Sequence, residues 1–427
     1  GATPTDWNSP GNWDPQEIPT SSDFVVIQSG RGDYPEIDEN INIGSMTIED
    51  GAQISITENQ TFTVQNNVNI FGSGNMIVDD AADNSNIFIN GSLTGTGNYI
   101  TFSDNNETDI KGDISLDSFT STTTGSIVRL NGPFKQNITS NTFSVQNLYV
   151  RSEVVSKLPF IPVVSNLDID SDDSFTLPQD GQDTLSVMTL TGNGRLELNN
   201  NRMLISGNID VQDLGTAEAK INFIGNSAQT IENFQEVGEL VINNDEKVRI
   251  FPTNNMTVND QLILNKGIFE IPSSVNLIAN SKLVNGGTMR AKRILKNGLG
   301  WRMVATPIAS EYGNFLDGTL TQGYTGSSEG FTNSSGDSLQ PNVLYFKENA
   351  MGTDNQQYRV PNSASIPVPS GRGHFVFIFG DLNDGTHENP LPDTLSVEGT
   401  SGAEFDGLDT FDFGVTFTTD TTDSIST

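Results

Sequence analysis

One pattern of apolar residues and glycine occurs three times along this chain. Each copy has two apolar residues at alternate positions, a short gap, a glycine, a second alternating apolar pair, and one more apolar residue eight positions after that pair begins. Period-two alternation predicts strands with one buried face, and the glycine predicts a tight corner. The three copies are Met46, Ile48, Gly51, Ile54, Ile56, Phe62; Met188, Leu190, Gly194, Leu196, Leu198, Leu204; and Leu262, Leu264, Gly267, Phe269, Ile271, Leu277.

Strand pairs with corners, repeated without a helix between copies, are typical of stacked coils. We therefore predict an all-β fold in which residues 41–297 form a right-handed parallel β-helix, a solenoid. The residues predicted to point inward are Ile54, Ile56, Leu196, Leu198, Phe269 and Ile271.

A second repeat has the form G-x-x-x-Q-x-I. It begins at Gly132 and Gly225, and it places glutamines at Gln136 and Gln229. The common offset of 93 residues indicates one structural unit used twice. We expect each glutamine to bond to main-chain groups at a turn; the alternative is a glutamine that binds substrate.

The N-terminal segment 1–40 contains two tryptophans, Trp7 and Trp13. The end coil of a solenoid exposes its core, so this segment is predicted to be a cap. The alternative is an aromatic platform that binds carbohydrate.

Composition excludes several classes of function. The formal charge is -33, from 54 acidic and 21 basic residues, and a field of that sign repels nucleic acid. There is no cysteine, which excludes disulfides, thiol catalysis and thiolate metal sites. No apolar run reaches the roughly 18 residues that a membrane-spanning helix needs, so the chain is not expected to span a membrane.

The pattern changes near residue 290, and we place a domain boundary at about residue 297. The basic residues Arg290, Lys292, Arg293 and Lys296 form a cluster that we interpret as surface charge beside a domain joint. The continuous apolar run 375–379 predicts a strand buried on both faces. We predict a β-sandwich-like module over residues 298–427.

Several motifs together resemble large secreted proteins of Bacteroidota. In the first part they are the opening from Trp7 to Ile27, the strand Met46–Ala52 and the two glutamine turns. In the second part, Gly300–Pro307 is similar to the G-W-x-L-I-S-S-P start of a β-module in those proteins. Pro369–Val376 resembles the P-G-x-G-Y strand of that module, with His374 where tyrosine is usual, and Leu395–Thr400 resembles its L-x-V-x-G-T strand.

The resemblance implies export by the type 9 secretion system and a place outside the cell or on its outer surface. That family includes adhesins and also enzymes whose catalytic domain lies elsewhere. Its second module usually continues with an N-L-x-G-N-P segment, and this sequence stops at Thr427 before one. We therefore expect the N-terminal stalk or tip of an adhesin, with the module incomplete at its C-terminal end. The expected partners are the type 9 secretion machinery and an extracellular ligand such as surface polysaccharide; the alternative is a non-catalytic binding or targeting region of a secreted carbohydrate-active enzyme.

Candidate catalytic residues are few. The two histidines are His374, in an apolar strand, and His387, in a turn-like loop, and no G-x-S-x-G nucleophile elbow is present. We therefore expect no catalytic activity. The alternative is an enzyme, because β-helices that cleave polysaccharides use clusters of acidic residues in their groove.

Two oxygen-rich segments are candidate calcium sites. Asp168, Asp170 and Asp172 alternate as in a calcium-binding loop, but Asp173 and Gln179 stand where an EF-hand needs glycine and glutamate. The second segment contains Asp381, Asn383 and Asp384. Solvated acidic loops are the alternative for both.

Overall fold

The computed structural model divides the chain into two compact units, residues 1–262 and 263–427. The residues that the structure describes are 4–57, 59–79, 83–157, 162–179, 184–214, 218–233, 235–251, 256–272, 275–295, 300–306, 309–316, 341–347, 357–361, 363–378 and 393–399.

The described chain is all-β, with a β-solenoid of about 12 turns and two short helical segments, a 3-10 helix at Pro10–Asn12 and α1 at Tyr312–Phe315. The early strands are β1 (Phe24–Ile27), β2 (Glu36–Ile37), β3 (Ile41–Ile43), β4 (Ser45–Ile48), β5 (Gln53–Ile56), β6 (Thr61–Val64), β7 (Val68–Ile70), β8 (Asn75–Val78), β9 (Asn86–Ile89), β10 (Leu93–Gly95), β11 (Asn98–Thr101), β12 (Glu107–Ile110), β13 (Ile114–Ser115), β14 (Ser118–Ser121), β15 (Ile127–Leu130), β16 (Gln136–Ile138), β17 (Thr142–Val150), β18 (Glu153–Ser156), β19 (Val163–Ile169) and β20 (Ser174–Thr176).

The later strands are β21 (Thr184–Val187), β22 (Thr189–Thr191), β23 (Arg195–Glu197), β24 (Arg202–Ile205), β25 (Ile209–Asp210), β26 (Lys220–Phe223), β27 (Gln229–Glu232), β28 (Glu236–Ile250), β29 (Met256–Ile271), β30 (Leu277–Ala279), β31 (Lys282–Val284), β32 (Thr288–Leu295), β33 (Gly300–Ala305), β34 (Ser310–Glu311), β35 (Val343–Phe346), β36 (Tyr358–Arg359), β37 (Pro367–Val368), β38 (Gly373–Ile378) and β39 (Asp393–Gly399).

Successive coils of the first unit stack in parallel register. Nine strands form one parallel sheet in the order β1-β4-β7-β10-β13-β16-β18-β20-β23. Other strands of the coils pair in parallel in a second, 24-stranded sheet, which also contains the antiparallel pair β32–β39. Equivalent residues of neighbouring coils therefore lie side by side, as Met46 does with Val68, and Val68 with Leu93. Inward side chains form columns along the stack, which confirms the predicted parallel solenoid.

The predicted inward residues are confirmed as core. Ile54, Ile56, Leu196, Leu198, Phe269 and Ile271 are all buried. Two members of the sequence pattern differ. Met188 is 54% exposed, because it lies at the bend between β21 and β22 where the alternation restarts, and Leu204 is only half-buried between buried Met203 and Ile205.

The three pattern glycines turn corners by two mechanisms. Gly51 and Gly267 have φ of +73° and +65°, a left-handed conformation that L side chains rarely adopt. Gly194 instead allows close approach of the preceding coil, since a Cβ there would lie 2.4 Å from the carbonyl oxygen of Asp170. Both mechanisms explain why the pattern requires glycine at the bend.

The two predicted glutamines occupy equivalent buried positions. The Gln136 side-chain Nε2 donates to the carbonyl oxygens of Ile110 (2.9 Å) and Gly112 (2.7 Å) of the preceding coil, and its Oε1 accepts from the Gly132 N–H (2.9 Å). Gln229 repeats the arrangement with Ile205 (3.2 Å), Gly207 (2.5 Å) and Gly225 (3.3 Å). These contacts confirm the structural interpretation, because each glutamine ties its own turn to the coil before it.

Trp7 closes the N-terminal end of the core. It is fully buried, and its ring centroid lies 6.4 Å from that of Phe62 and 4.6 Å from that of Trp13. The Trp13 indole N–H donates to the Trp7 carbonyl at 2.7 Å, and Asp6 forms a parallel bridge with Glu36 of β2. A buried Trp7 cannot stack on a sugar, and its packing against Phe62 is the arrangement that the predicted cap requires.

The second unit contains antiparallel sheets. One is four-stranded, in the order β33-β38-β35-β36, and another pairs β34 with β37. The cluster of buried side chains there comprises Tyr312, Phe315, Leu316, Val343, Val368 and Val376.

The predicted boundary near residue 297 lies inside this unit. The run at 375–379, expected to be buried on both faces, alternates over its described part, since Phe375 and Phe377 are only half-buried.

The basic cluster has a partner that its sequence did not indicate. Glu270 on β29 is almost fully buried, and the Lys292 ammonium lies 2.9 Å from its carboxylate, with the Arg290 guanidinium at 3.9 Å. Charged groups are buried only when they are paired, so these two cations compensate a buried carboxylate. Arg290 and Lys292 are partly exposed, as the surface interpretation predicts, but they also neutralise this buried carboxylate.

Candidate functional site

Outward side chains of four neighbouring coils form a polar surface in the middle of the first unit. The strand registers place Asp109 beside Arg129, Arg129 beside Tyr149, and Tyr149 beside Asp168. Glu107 precedes Asp109 on the same face of β12, and Arg151 follows Tyr149. We call this surface the Tyr149 face; its members are Glu107, Asp109, Arg129, Tyr149, Arg151 and Asp168.

Two guanidinium groups flank the tyrosine ring of the Tyr149 face. They lie 5.6 Å (Arg129) and 5.2 Å (Arg151) from the ring centroid, within the range of cation–π attraction. Arg129 also binds both carboxylates of β12, with an Nη2–Oε1 distance of 3.1 Å to Glu107 and an Nη1–Oδ1 distance of 3.5 Å to Asp109. The result is a half-exposed array of phenol, guanidinium and carboxylate groups that presents hydrogen-bond donors and acceptors outward.

The two carboxylates of β12 differ in proton affinity. The hydrogen bond from Arg129 lowers the pKa of Glu107, whereas burial raises the pKa of Asp109 despite the same arginine. Split carboxylate pairs also occur where one group acts as an acid and the other as a base. Here the carboxylate oxygens of Glu107 and Asp109 both contact Arg129, which is the geometry of an ion-pair network.

The structure places two of the predicted calcium ligands around an arginine. The Arg151 Nη2 lies 2.7 Å from Asp168 Oδ1, and its Nε lies 3.5 Å from Asp170 Oδ2. The Thr191 hydroxyl donates to the second Asp168 oxygen at 2.8 Å. Asp172 lies in the following turn with a left-handed φ of +71°.

Arg151 thus takes the position between Asp168 and Asp170 that a cation would need. Among the described residues, no group of three or more His, Cys, Asp or Glu side chains is arranged to hold a metal ion. The second predicted segment, Asp381, Asn383 and Asp384, lies outside the described residues, as does His387.

His374 is buried in the second unit. Its Nε2 lies 2.9 Å from the Tyr312 hydroxyl, and its ring centroid lies 5.1 Å from that of Phe315. Burial lowers the pKa of His374 to about 4. The ring is therefore neutral at pH 7 and packs as part of the core.

The buried neutral His374 predicts acid sensitivity. Its folded pKa is below the value of about 6.5 expected when unfolded, so its stabilising effect is complete above pH ~6.5 and is lost as pH falls toward 4. The full difference is on the order of 3 kcal/mol in the free energy of unfolding. Urea titrations from pH 4 to 7 should give a shallower pH dependence for His374→Gln than for the native chain. His387→Gln is the matched control, and equal slopes for His374→Gln and the native chain would contradict the assignment.

Sequence comparison adds one match. A family model described as a domain of unknown function (DUF8693) matches residues 1–114, the cap and the first coils. No curated protein and no solved structure matches the chain. Among the described residues, no helix has the length and apolar character needed to cross a membrane. The chain is thus similar to the DUF8693 domain over its N-terminal 114 residues, and that likeness assigns no function.

Proposed function

We propose that this chain is a non-catalytic extracellular surface protein, the N-terminal stalk or tip segment of an adhesin that binds its ligand through the Tyr149 face. The observation that carries the proposal is that face, an outward array of phenol, guanidinium and carboxylate groups on a stack of parallel coils. The motif resemblance supports export by the type 9 secretion system of a Bacteroidota cell. We also propose that the coils are right-handed and that residues 298–427 form a β-sandwich-like module.

Outer side chains connect the coils in a way that suits a stalk. The Asn166 amide donates to Asn147 Oδ1 at 2.8 Å, and the Thr189 hydroxyl donates to Asn166 Oδ1 at 2.6 Å. The Asn147 amide donates in turn to the Ser126 carbonyl at 2.7 Å. This ladder crosses four coils and adds side-chain bonds to the main-chain pairing, which favours a rigid support for a binding surface.

A surface polysaccharide fits the chemistry of the Tyr149 face. Sugar hydroxyls both donate and accept hydrogen bonds, and guanidinium and carboxylate groups supply the complementary partners. The Tyr149 hydroxyl makes no hydrogen bond to another described residue, so it is free to bind a ligand.

A glycan-binding measurement tests the proposal. The purified chain is titrated against a panel of soluble polysaccharides, and Tyr149→Ala should weaken any binding at least tenfold. The matched control is Phe251→Ala, because Phe251 is also exposed with an arginine, Arg249, stacked 4.7 Å from its ring centroid. Equal loss in both variants, or binding that Tyr149→Ala leaves unchanged, would contradict the proposed site.

The alternative function is a non-catalytic binding region of a secreted carbohydrate-active enzyme. The opposite pKa shifts of Glu107 and Asp109 also raise the question of whether the chain itself cleaves polysaccharide. Incubation of the same polysaccharides with the pure chain should release no reducing ends. Sustained release that Asp109→Asn abolishes would replace the non-catalytic proposal with an enzyme.

We also propose calcium binding at Asp168, Asp170 and Asp172, where the ion would have to displace the Arg151 guanidinium from its place between the first two carboxylates. Burial raises the pKa of neighbouring Asp173, and the charges of Asp170 and Asp172 raise it further, so negative charge is crowded at this turn. We expect millimolar calcium to raise Tm more than sodium at matched ionic strength, with chelator reversing the difference. Equal shifts for the two ions would leave only screening.

A further inference from the structure

The first strand of the nine-stranded sheet has an unpaired edge. β1 is the end strand of that sheet and pairs only with β4. The Asp23 carbonyl accepts from Gly44 (3.0 Å) and Ser45 (3.1 Å) on the β4 side, and the Ile27 carbonyl accepts from Glu49 (3.0 Å). Alternate residues of a parallel strand direct their main-chain groups to opposite sides. The N–H and C=O groups of Phe24 and Val26 therefore point away from β4, where no other described strand lies.

The described part of the N-terminal segment covers the edge of β2, the next strand along the chain, but it does not pair with β1. On β2 the Glu36 N–H donates to the Thr5 carbonyl at 2.9 Å, and Asp6 bridges Glu36. The same N-terminal segment leaves a cleft of about 810 Å³ beside β1. Proteins usually cover or charge an exposed edge strand, because it can pair with another chain.

Apolar side chains line this cleft. Phe24 is 63% exposed, and Val26 and Ile18 are exposed beside it, together with the partly exposed ring of Trp13. Phe24 and Val26 point outward from the coil, since the burial of β1 alternates with buried Val25 and Ile27. A ligand along β1 would thus find main-chain groups on the edge and apolar contacts at alternate positions.

The rim of the cleft is acidic. Its lining includes five carboxylates and one cation, Arg31, whose guanidinium bonds to the Gln28 side chain. The carboxylates are Asp6, Asp14, Glu17, Asp23 and Asp33. Charge complementarity therefore favours a basic ligand, and a second copy of this chain, at a net charge of -33, would be repelled.

From these observations we propose that the β1 edge is a docking site for an extended basic peptide of another protein, which adds a strand beside Phe24–Ile27. Strand addition takes its affinity from main-chain hydrogen bonds and its specificity from alternate side chains. The peptide would carry apolar residues at every second position, against Phe24 and Val26, and lysine or arginine between them for the acidic rim.

A designed peptide with the sequence Lys-Val-Arg-Val-Lys-Thr, labelled with a fluorophore, tests the proposal by anisotropy at about 0.15 M ionic strength. We expect saturable binding to the full chain. A copy with N-methyl groups on the alternate amides that would face β1 keeps every charge but cannot pair, and it should bind at least tenfold more weakly. Glu-Val-Glu-Val-Glu-Thr should not bind.

Two protein variants complete the experiment. Val26→Pro removes an N–H that points away from β4, so β1–β4 pairing is kept while the free edge loses a donor, and binding should fall at least tenfold. Phe24→Ser, which leaves the backbone unchanged, should also weaken binding and covers the case in which the proline variant misfolds. The Val26→Pro chain should keep any glycan binding by the Tyr149 face, so failure of this inference is distinguishable from failure of the proposed function.

Four results would overturn the proposal. The N-methylated peptide binding as well as its parent would show that only charge attraction is involved. Absence of binding by the basic peptide would remove the site altogether. Self-association of the chain through β1, or a glycan that fills the cleft in place of the peptide, would assign the edge to a different occupant.

Discussion

Replacement of Leu198 by aspartate should lower the free energy of unfolding by about 4 kcal/mol or more, or prevent folding. Leu198 is fully buried directly after β23, in an apolar column shared by successive coils. A carboxylate there would lose its hydration without a compensating charge or a set of hydrogen-bond donors. Urea denaturation followed by circular dichroism measures the change.

Met188→Asp is the matched control for Leu198→Asp. Both residues are apolar members of the same copy of the sequence pattern, but Met188 is 54% exposed at a bend. Its replacement should change stability by about 0.5 kcal/mol or less, as is usual for surface positions. Comparable losses at the two positions would contradict the assignment of inward and outward faces.

Replacement of Gln229 by leucine should cost on the order of 3–5 kcal/mol, because several buried polar groups lose their partner together. The groups are the Gly225 N–H, the Ile205 and Gly207 carbonyls, and the Asn244 amide, which donates to Gln229 Oε1 at 2.6 Å. Each unsatisfied buried group costs about 1–3 kcal/mol, and small rearrangements recover part of the sum. The effect is measured by the same urea titrations.

Gln136→Leu should give a loss of similar size, since Gln136 makes the equivalent contacts one repeat earlier and also accepts from the Ser152 hydroxyl at 2.7 Å. Gln65→Leu is the control. Gln65 is exposed and bonds to Asn42 and Asn90 side chains on the outer surface, so its loss should cost about 1 kcal/mol or less. If Gln65→Leu destabilises the chain as much as Gln229→Leu, the buried hydrogen bonds of Gln136 and Gln229 do not stabilise the fold more than exposed side-chain bonds do.

The parts of the fold that the sequence predicts are those encoded within a single coil. Inward residues such as Ile54 and Leu198 follow from alternation inside one strand, and Gln136 and Gln229 follow from a motif repeated at one offset. The pattern wrongly counts Met188 among the buried residues. Alternation predicts the buried face only within one strand, and it restarts at the bend where Met188 lies. The outer ladders depend on which residue of the next coil comes alongside.

The Tyr149 face shows why that second kind of information is missing from the sequence. Neighbours in this outer column are Asp109, Arg129, Tyr149, Asp168 and Thr191. The numbers of residues that separate successive members along the sequence are 20, 20, 19 and 23, so the spacing is not constant. Coils of unequal length hide the register. The alternation of Asp168 and Asp170 predicts a calcium loop, but it gives no sign of Arg151, which comes from the preceding coil and lies between the two carboxylates.

Distances along one outer column test the central claim, the parallel stack of coils, most directly. The chain has no cysteine, so two introduced cysteines carry two spin labels without background. The column from Asn42 through Thr63 to Thr191 is seven coil steps long, and Thr63 to Thr191 is six.

At ~4.8 Å per step, double electron–electron resonance should give distances of ~34 Å for labels at Asn42→Cys with Thr191→Cys and ~29 Å for Thr63→Cys with Thr191→Cys. The two distances should differ by about one strand spacing although the sites are 21 residues apart in sequence. The parallel stack would be contradicted if both distances were well below these values. It would also be contradicted if the Asn42–Thr191 distance were no longer than the Thr63–Thr191 distance.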